Sequence, residues 1–160
     1  MTMRYEIKLC LLALLTLSLP AWSNEKDALK DLNHAAPHVQ WEAKGAIEID
    51  IDCDNHKDYV MLKQADGKVS VGMVLGRPNN PKVYVTDIAL GNGKNELCIG
   101  TASILAESLD YNPKYVTGKA VEGFKRSRCR AFRVASAKCE PFHFYWNTQQ
   151  NRPAWWRRAK

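Results

Sequence analysis

From residue 44 onward the apolar positions recur every second residue, which is the period of strands with one buried face. Val69, Val71, Met73 and Leu75 alternate with Ser70, Gly72 and Val74, and Ala46–Ile51 and Tyr59–Lys63 are similar β-branched or apolar runs. The turn cluster Arg77-Pro78-Asn79-Asn80-Pro81 precedes a run Val83–Leu90, and Gly91-Asn92-Gly93-Lys94-Asn95 precedes Leu97–Leu105. The last of these fits a strand, yet Ala102, Leu105, Ala106 and Leu109 also fit one face of a helix. Residues 110–130 carry no regular pattern, because Pro113, Gly118 and Gly123 interrupt it. Strand character returns in Ala131–Val134, Pro141–Asn147 and Ala154–Arg158. Phe142, Phe144 and Trp146 fall on one face there, with His143 and Tyr145 on the other; the adjacent Trp155 and Trp156 point to opposite faces. Ahead of all this, Glu25–Ala36 places Ala28, Leu29, Leu32 and Ala35 on one helical face and stops at Pro37. The pattern predicts a mainly β protein: one antiparallel domain, sandwich or blade-like, with a short N-terminal helix.

Residues 1–23 read as a secretory signal: Arg4 and Lys8, an apolar run Leu9–Leu19, and Ala21-Trp22-Ser23 before the cut. The run is shorter than the roughly 20 residues of a membrane span. The expected organisation is a signal peptide (1–23), a helical segment (24–43) and a β domain (44–160), in a periplasmic or secreted protein with no membrane span. About 137 residues then remain, enough for one domain with a core. Cys53, Cys98, Cys129 and Cys139 are an even set in an oxidising compartment, so two disulfides are expected. Three pairings are possible. Cys129–Cys139, closing a local hairpin, and Cys53–Cys98, pinning the acidic loop, are favoured.

That loop is Asp50-Ile51-Asp52-Cys53-Asp54-Asn55-His56-Lys57-Asp58, with carboxylates at its positions 1, 3, 5 and 9. Alternate carboxylates on a tight loop suit Ca²⁺, an oxygen-seeking cation. The expected ligands are Asp50, Asp52, Asp54 and Asp58, with the backbone carbonyl of His56 as a fifth. Asn55 stands at the sharp turn, where a left-handed backbone is needed. Residues 47–76 resemble one calcium-binding repeat of the FG-GAP/VCBS type, Asp-x-Asp-x-Asp-Gly-x-x-Asp between two strands, followed by an Ala65-Asp66-Gly67 turn and a third strand. Asn55 replaces the family's Gly, and a single copy is present, so the resemblance implies a calcium-binding unit and no propeller.

Charge divides the chain. Residues 24–113 hold 9 Lys/Arg against 14 Asp/Glu, and residues 114–160 hold 12 against 2. The basic third also concentrates aromatics, the residue types that dominate binding hot spots. Arg126, Arg128, Tyr145, Trp155 and Arg157 are the expected partner contacts. Catalytic motifs are absent: no Gly-x-Ser-x-Gly, no His-Glu-x-x-His, and thiols expected in disulfides, so no enzyme is expected. No nucleic-acid module is present either. The expected function is protein binding, similar in kind to periplasmic inhibitors and immunity proteins that neutralise a toxin or a wall-degrading enzyme. The alternative is binding of an anionic envelope polymer, a glycan or lipid A, drawn by the positive field.

Overall fold

The turn at Asp66-Gly67 sets the first sheet. Both residues have positive φ, 51° and 72°, the reversal whose twist matches two antiparallel strands. In this computed structural model, which describes residues 24–76, 80–136 and 139–158, it joins β2 (Asp58–Ala65) to β3 (Lys68–Leu75) with Ala65 opposite Lys68. β1 (Ile47–Ile49) pairs with β2 and β4 (Lys82–Ala89) with β3, all antiparallel. The second sheet repeats this plan with β5 (Ala102–Ser108), β6 (Arg130–Ser136), β7 (Cys139–Asn147) and β8 (Arg152–Trp156), each paired with the next. The expected signal segment, 1–23, lies outside the described residues. Leu97–Leu105 resolves as strand, beginning later than its apolar run: Leu97 makes only an isolated bridge to Leu90, and β5 starts at Ala102.

The two sheets pack face to face, as the alternation requires. Val69, Val71, Met73 and Leu75 of β3 meet Phe132, Val134, Phe142, Phe144 and Trp146 of β6 and β7 in one core. Phe132 stacks on Phe144 with centroids 4.7 Å apart. Fully burying side chains of this size stabilises by roughly 1.5–3 kcal/mol each, so this core is the main driving force. Trp156 is buried and Trp155 is 39% exposed, on opposite faces of β8 as their adjacency demands.

The outer face of each sheet is also covered. On the first, α1 (Glu25–Ala35) begins at Asn24, whose side chain accepts from the Lys26 and Asp27 N–H groups. Its buried Ala28 and Leu32 pack with Trp41, Tyr59, Met61 and Val74. Gly72 makes this approach possible: a Cβ there would stand 2.5 Å from Leu32 Cδ2 and 2.9 Å from Trp41 Cη2. On the second sheet the irregular 110–130 stretch, with one turn of helix α2 (Lys114–Thr117), lays Tyr111, Val121 and Phe124 against Tyr145 and Trp156.

The cysteine pairing differs from expectation. Cys53 is bonded to Cys129, with Cα atoms 5.7 Å apart and a sequence separation of 76. Neither Cys53–Cys98 nor Cys129–Cys139 forms. The reason is strand length. Cys129 precedes β6 and Cys139 opens β7, opposite Ser136 at the far end of β6, so seven residues of strand separate them by about 20 Å. Cys98 instead lies beside Cys139, its N–H donating to Cys139 Sγ at 2.9 Å. Any second bridge in this fold joins those two. Among the described residues no helix is long and apolar enough to cross a membrane.

Candidate functional site

Two places concentrate chemistry. The first is the acidic loop between β1 and β2. Cys53 and Asn55 both have φ 65°, so the chain turns sharply twice and Asn55 holds the left-handed position expected of it. Asp50 braces the turn: its two oxygens accept from the Asp54 and Asn55 N–H groups, each at 3.1 Å. Asp54 points elsewhere. Its Oδ1 accepts from the His56 N–H at 2.9 Å and lies 3.1 Å from His56 Nδ1. Of the four expected carboxylates, Asp50, Asp52 and Asp58 converge, each offering an oxygen within 4.8 Å of the others; Asp54 is outside this set.

Asp58 is the buried member, 1% exposed. It accepts from Ile51 N–H at 2.7 Å and Gly76 N–H at 3.0 Å, closing the loop over the start of β2. Burial pushes its carboxyl up to about 7, with Asp52 and Asp54 adding repulsion and the two N–H donors pulling the other way. Each carboxylate oxygen accepting one hydrogen bond still has a lone pair. Three hard oxygen donors at this spacing fit an oxygen-seeking divalent cation such as Ca²⁺. The loop is fastened to the second sheet as well, through the Cys53–Cys129 bridge and the Arg130 N–H, which donates to the Asp50 carbonyl at 3.4 Å.

The second place is a cleft of about 930 Å³ beside β8, walled by residues 92–95 and 117–122. It contains three of the five expected contact residues, Tyr145, Trp155 and Arg157. Tyr145 is corrected from contact residue to packing residue. It is 3% exposed, its hydroxyl donates to the Glu122 carbonyl at 2.7 Å, and its ring lies against Phe124; the same burial raises its phenol pKa. Its position on β7 puts it beneath the 110–130 cover, which periodicity could not reveal. Arg157 is half-committed: Nη1 donates to the Lys94 and Glu96 carbonyls at 3.1 and 2.7 Å, and its guanidinium sits 4.7 Å over the Phe142 ring. Arg126 and Arg128 do not line the cleft. Arg126 pairs with Asp110 at 2.6 Å, and Arg128 is exposed on the stretch leading to Cys129.

Sequence reasoning missed Lys94 and Lys119, which supply the cleft with cations from two loops; only the topology brings those loops to one strand. It also missed the pair Glu107–His143, where Nδ1 lies 3.0 Å from both carboxylate oxygens. Tyr111 and Trp156 cover this pair, the indole stacked 4.1 Å from the imidazole. It ties β5 to β7 across β6.

The chain matches no protein-family model, no curated protein and no solved structure. The site is therefore read from its own geometry. Asp58→Ala leaves the buried Ile51 and Gly76 N–H groups without an acceptor, at about 1–3 kcal/mol each. Urea unfolding in EDTA is expected to show a loss of about 2–5 kcal/mol, with Asp58→Asn losing less because its amide oxygen still accepts one bond. An unchanged midpoint for Asp58→Ala would mean that the carboxylate does not hold the loop.

Proposed function

We propose that this chain is an exported, disulfide-bonded binding protein that engages a protein partner through the cleft beside β8, as an inhibitor or immunity protein against a toxin or envelope enzyme does. The cleft carries this reading. It exposes Trp155 between two loops, and Arg157 is held in place by two carbonyls and a ring, so this cation is ordered before any partner arrives. Export is supported by the signal-like pattern of residues 1–23 and by the Cys53–Cys129 bridge, a bond that persists in oxidising compartments. In this reading the acidic loop is a single unit of FG-GAP/VCBS type holding Ca²⁺ with Asp50, Asp52 and Asp58. The strand–loop–strand order, the Asp66-Gly67 turn and left-handed Asn55 support that resemblance. The ion shapes the end of the sandwich opposite in chemistry to the cleft, and binding to the partner is the function.

Two outcomes are expected. Tagged protein is incubated with an envelope extract and the retained polypeptide is purified and titrated back. Binding is expected to saturate at a fixed ratio, to survive moderate salt, and to weaken at least tenfold with Trp155→Ala. Binding without fixed stoichiometry that fades steeply with ionic strength would instead indicate an anionic polymer. Separately, excess Ca²⁺ is expected to raise the melting temperature by several degrees over EDTA, since a ligand at a hundredfold its Kd stabilises by about 2.7 kcal/mol. Asp52→Asn should abolish that rise; an identical melting curve with and without Ca²⁺ would refute the ion.

A further inference from the structure

β8 is the last strand of its sheet, paired with β7 along one edge and, among the described residues, with no strand along the other. An edge of this kind presents backbone N–H and C=O groups that can template another strand. β8 is guarded in the ways edge strands usually are. It has only five residues, contains Pro153, and is flanked by Arg152 and by Arg157-Arg158. Those cations would repel a second copy of β8 and so disfavour self-pairing there. The same cations favour a strand of opposite charge.

The cleft is lined by residues 154–158, at and just beyond the end of this strand. Side chains alternate across a strand, and the two walls follow that alternation. On the side of Trp155 and Arg157 stands Lys94, whose carbonyl Arg157 grips; on the side of Trp156 and Tyr145 stands Lys119. Glu122 is the acid among the lining residues, and its Oε1 accepts from Gln150 Nε2 at 3.1 Å. Arg158 pairs with Glu140 outside the cleft, whereas neither Lys94 nor Lys119 has a carboxylate partner among the described residues. The trench therefore combines the terminal strand of the sheet, an exposed indole, and two lysines without carboxylate partners among the described residues, Lys94 and Lys119.

We propose that this trench receives an extended, acidic segment of a polypeptide, added to β8 as a fifth strand of the sheet. Main-chain hydrogen bonds to the β8 edge supply affinity. Alternate side chains supply selectivity: carboxylates toward Lys94 and Lys119, and apolar groups against Trp155. A glycan would use the charges and the indole but not the ladder, so the backbone requirement separates the two. The proposal rests on the reading of the cleft as the partner-binding face and names what that partner inserts.

The test uses a pool of end-blocked hexapeptides alternating acidic and apolar residues, followed by tryptophan fluorescence and calorimetry. Three controls accompany it: the same pool with alternate backbone amides N-methylated, a pool with lysine in place of the acids, and an oligogalacturonate of similar length. The acidic pool is expected to bind. The N-methylated and lysine pools are expected to bind at least tenfold more weakly, and so is the acidic pool to Lys94→Ala/Lys119→Ala protein, both positions being exposed and the variant checked by circular dichroism. Equal binding of the N-methylated pool, binding of oligogalacturonate alone, or no binding by any probe would overturn strand addition. Peptide failure with partner capture intact overturns only this inference. Peptide binding without any captured protein partner leaves the trench and refutes the wider reading.

Discussion

The Cys53–Cys129 bridge joins the turn between β1 and β2 to the entrance of β6, so it ties one sheet to the other at a point where no strand pairing does. The loop on one side of the bridge carries three converging carboxylates and two left-handed residues, a conformation that a free chain seldom holds. On the other side, the bridge holds Cys129, the residue that precedes β6. A link across a separation of 76 residues removes about 4.5 kcal/mol of unfolded-chain entropy. That is a large share of the 5–15 kcal/mol by which domains are stable. The hydrophobic core drives the sheets together; the bridge and Asp58 decide how their ends meet.

This arrangement separates two kinds of chemistry. At the bridged end, negative charge is concentrated and held by backbone donors. Beside β8, Lys94, Lys119, Arg157 and Arg158 line a cleft with Glu122 as its acid. Arg157 is anchored there by the Lys94 and Glu96 carbonyls and the Phe142 ring. The covering stretch 110–130 links the two. It packs Tyr111 and Phe124 over the second sheet, supplies Lys119 to the trench, and delivers Cys129 to the loop.

Much of the fold was legible in the sequence because strands with one buried face write a period of two. The inward set Phe142, Phe144, Trp146, the split between Trp155 and Trp156, and the N-terminal helix follow from periodicity and the stop at Pro37. What periodicity cannot carry is which strand ends are neighbours. The expected cysteine pairs failed for that reason: Cys129 and Cys139 are close in sequence but lie at opposite ends of a seven-residue strand. Tyr145 was misread because its cover comes from an irregular segment with no pattern of its own. Lys94 and Lys119 were invisible as a pair because two turns meet only through the sheet order. The acidic loop was legible in composition, yet Asp54, indistinguishable from its neighbours in spacing, turns to His56.

Mass-spectrometric mapping of the unreduced protein tests the central constraint most directly, since Lys or Arg residues place Cys53, Cys98, Cys129 and Cys139 in separate tryptic peptides. The account predicts a covalent link between the peptides of Cys53 and Cys129. A link from Cys53 to Cys98, or from Cys129 to Cys139, would contradict it, because neither is compatible with the way the two sheets are joined.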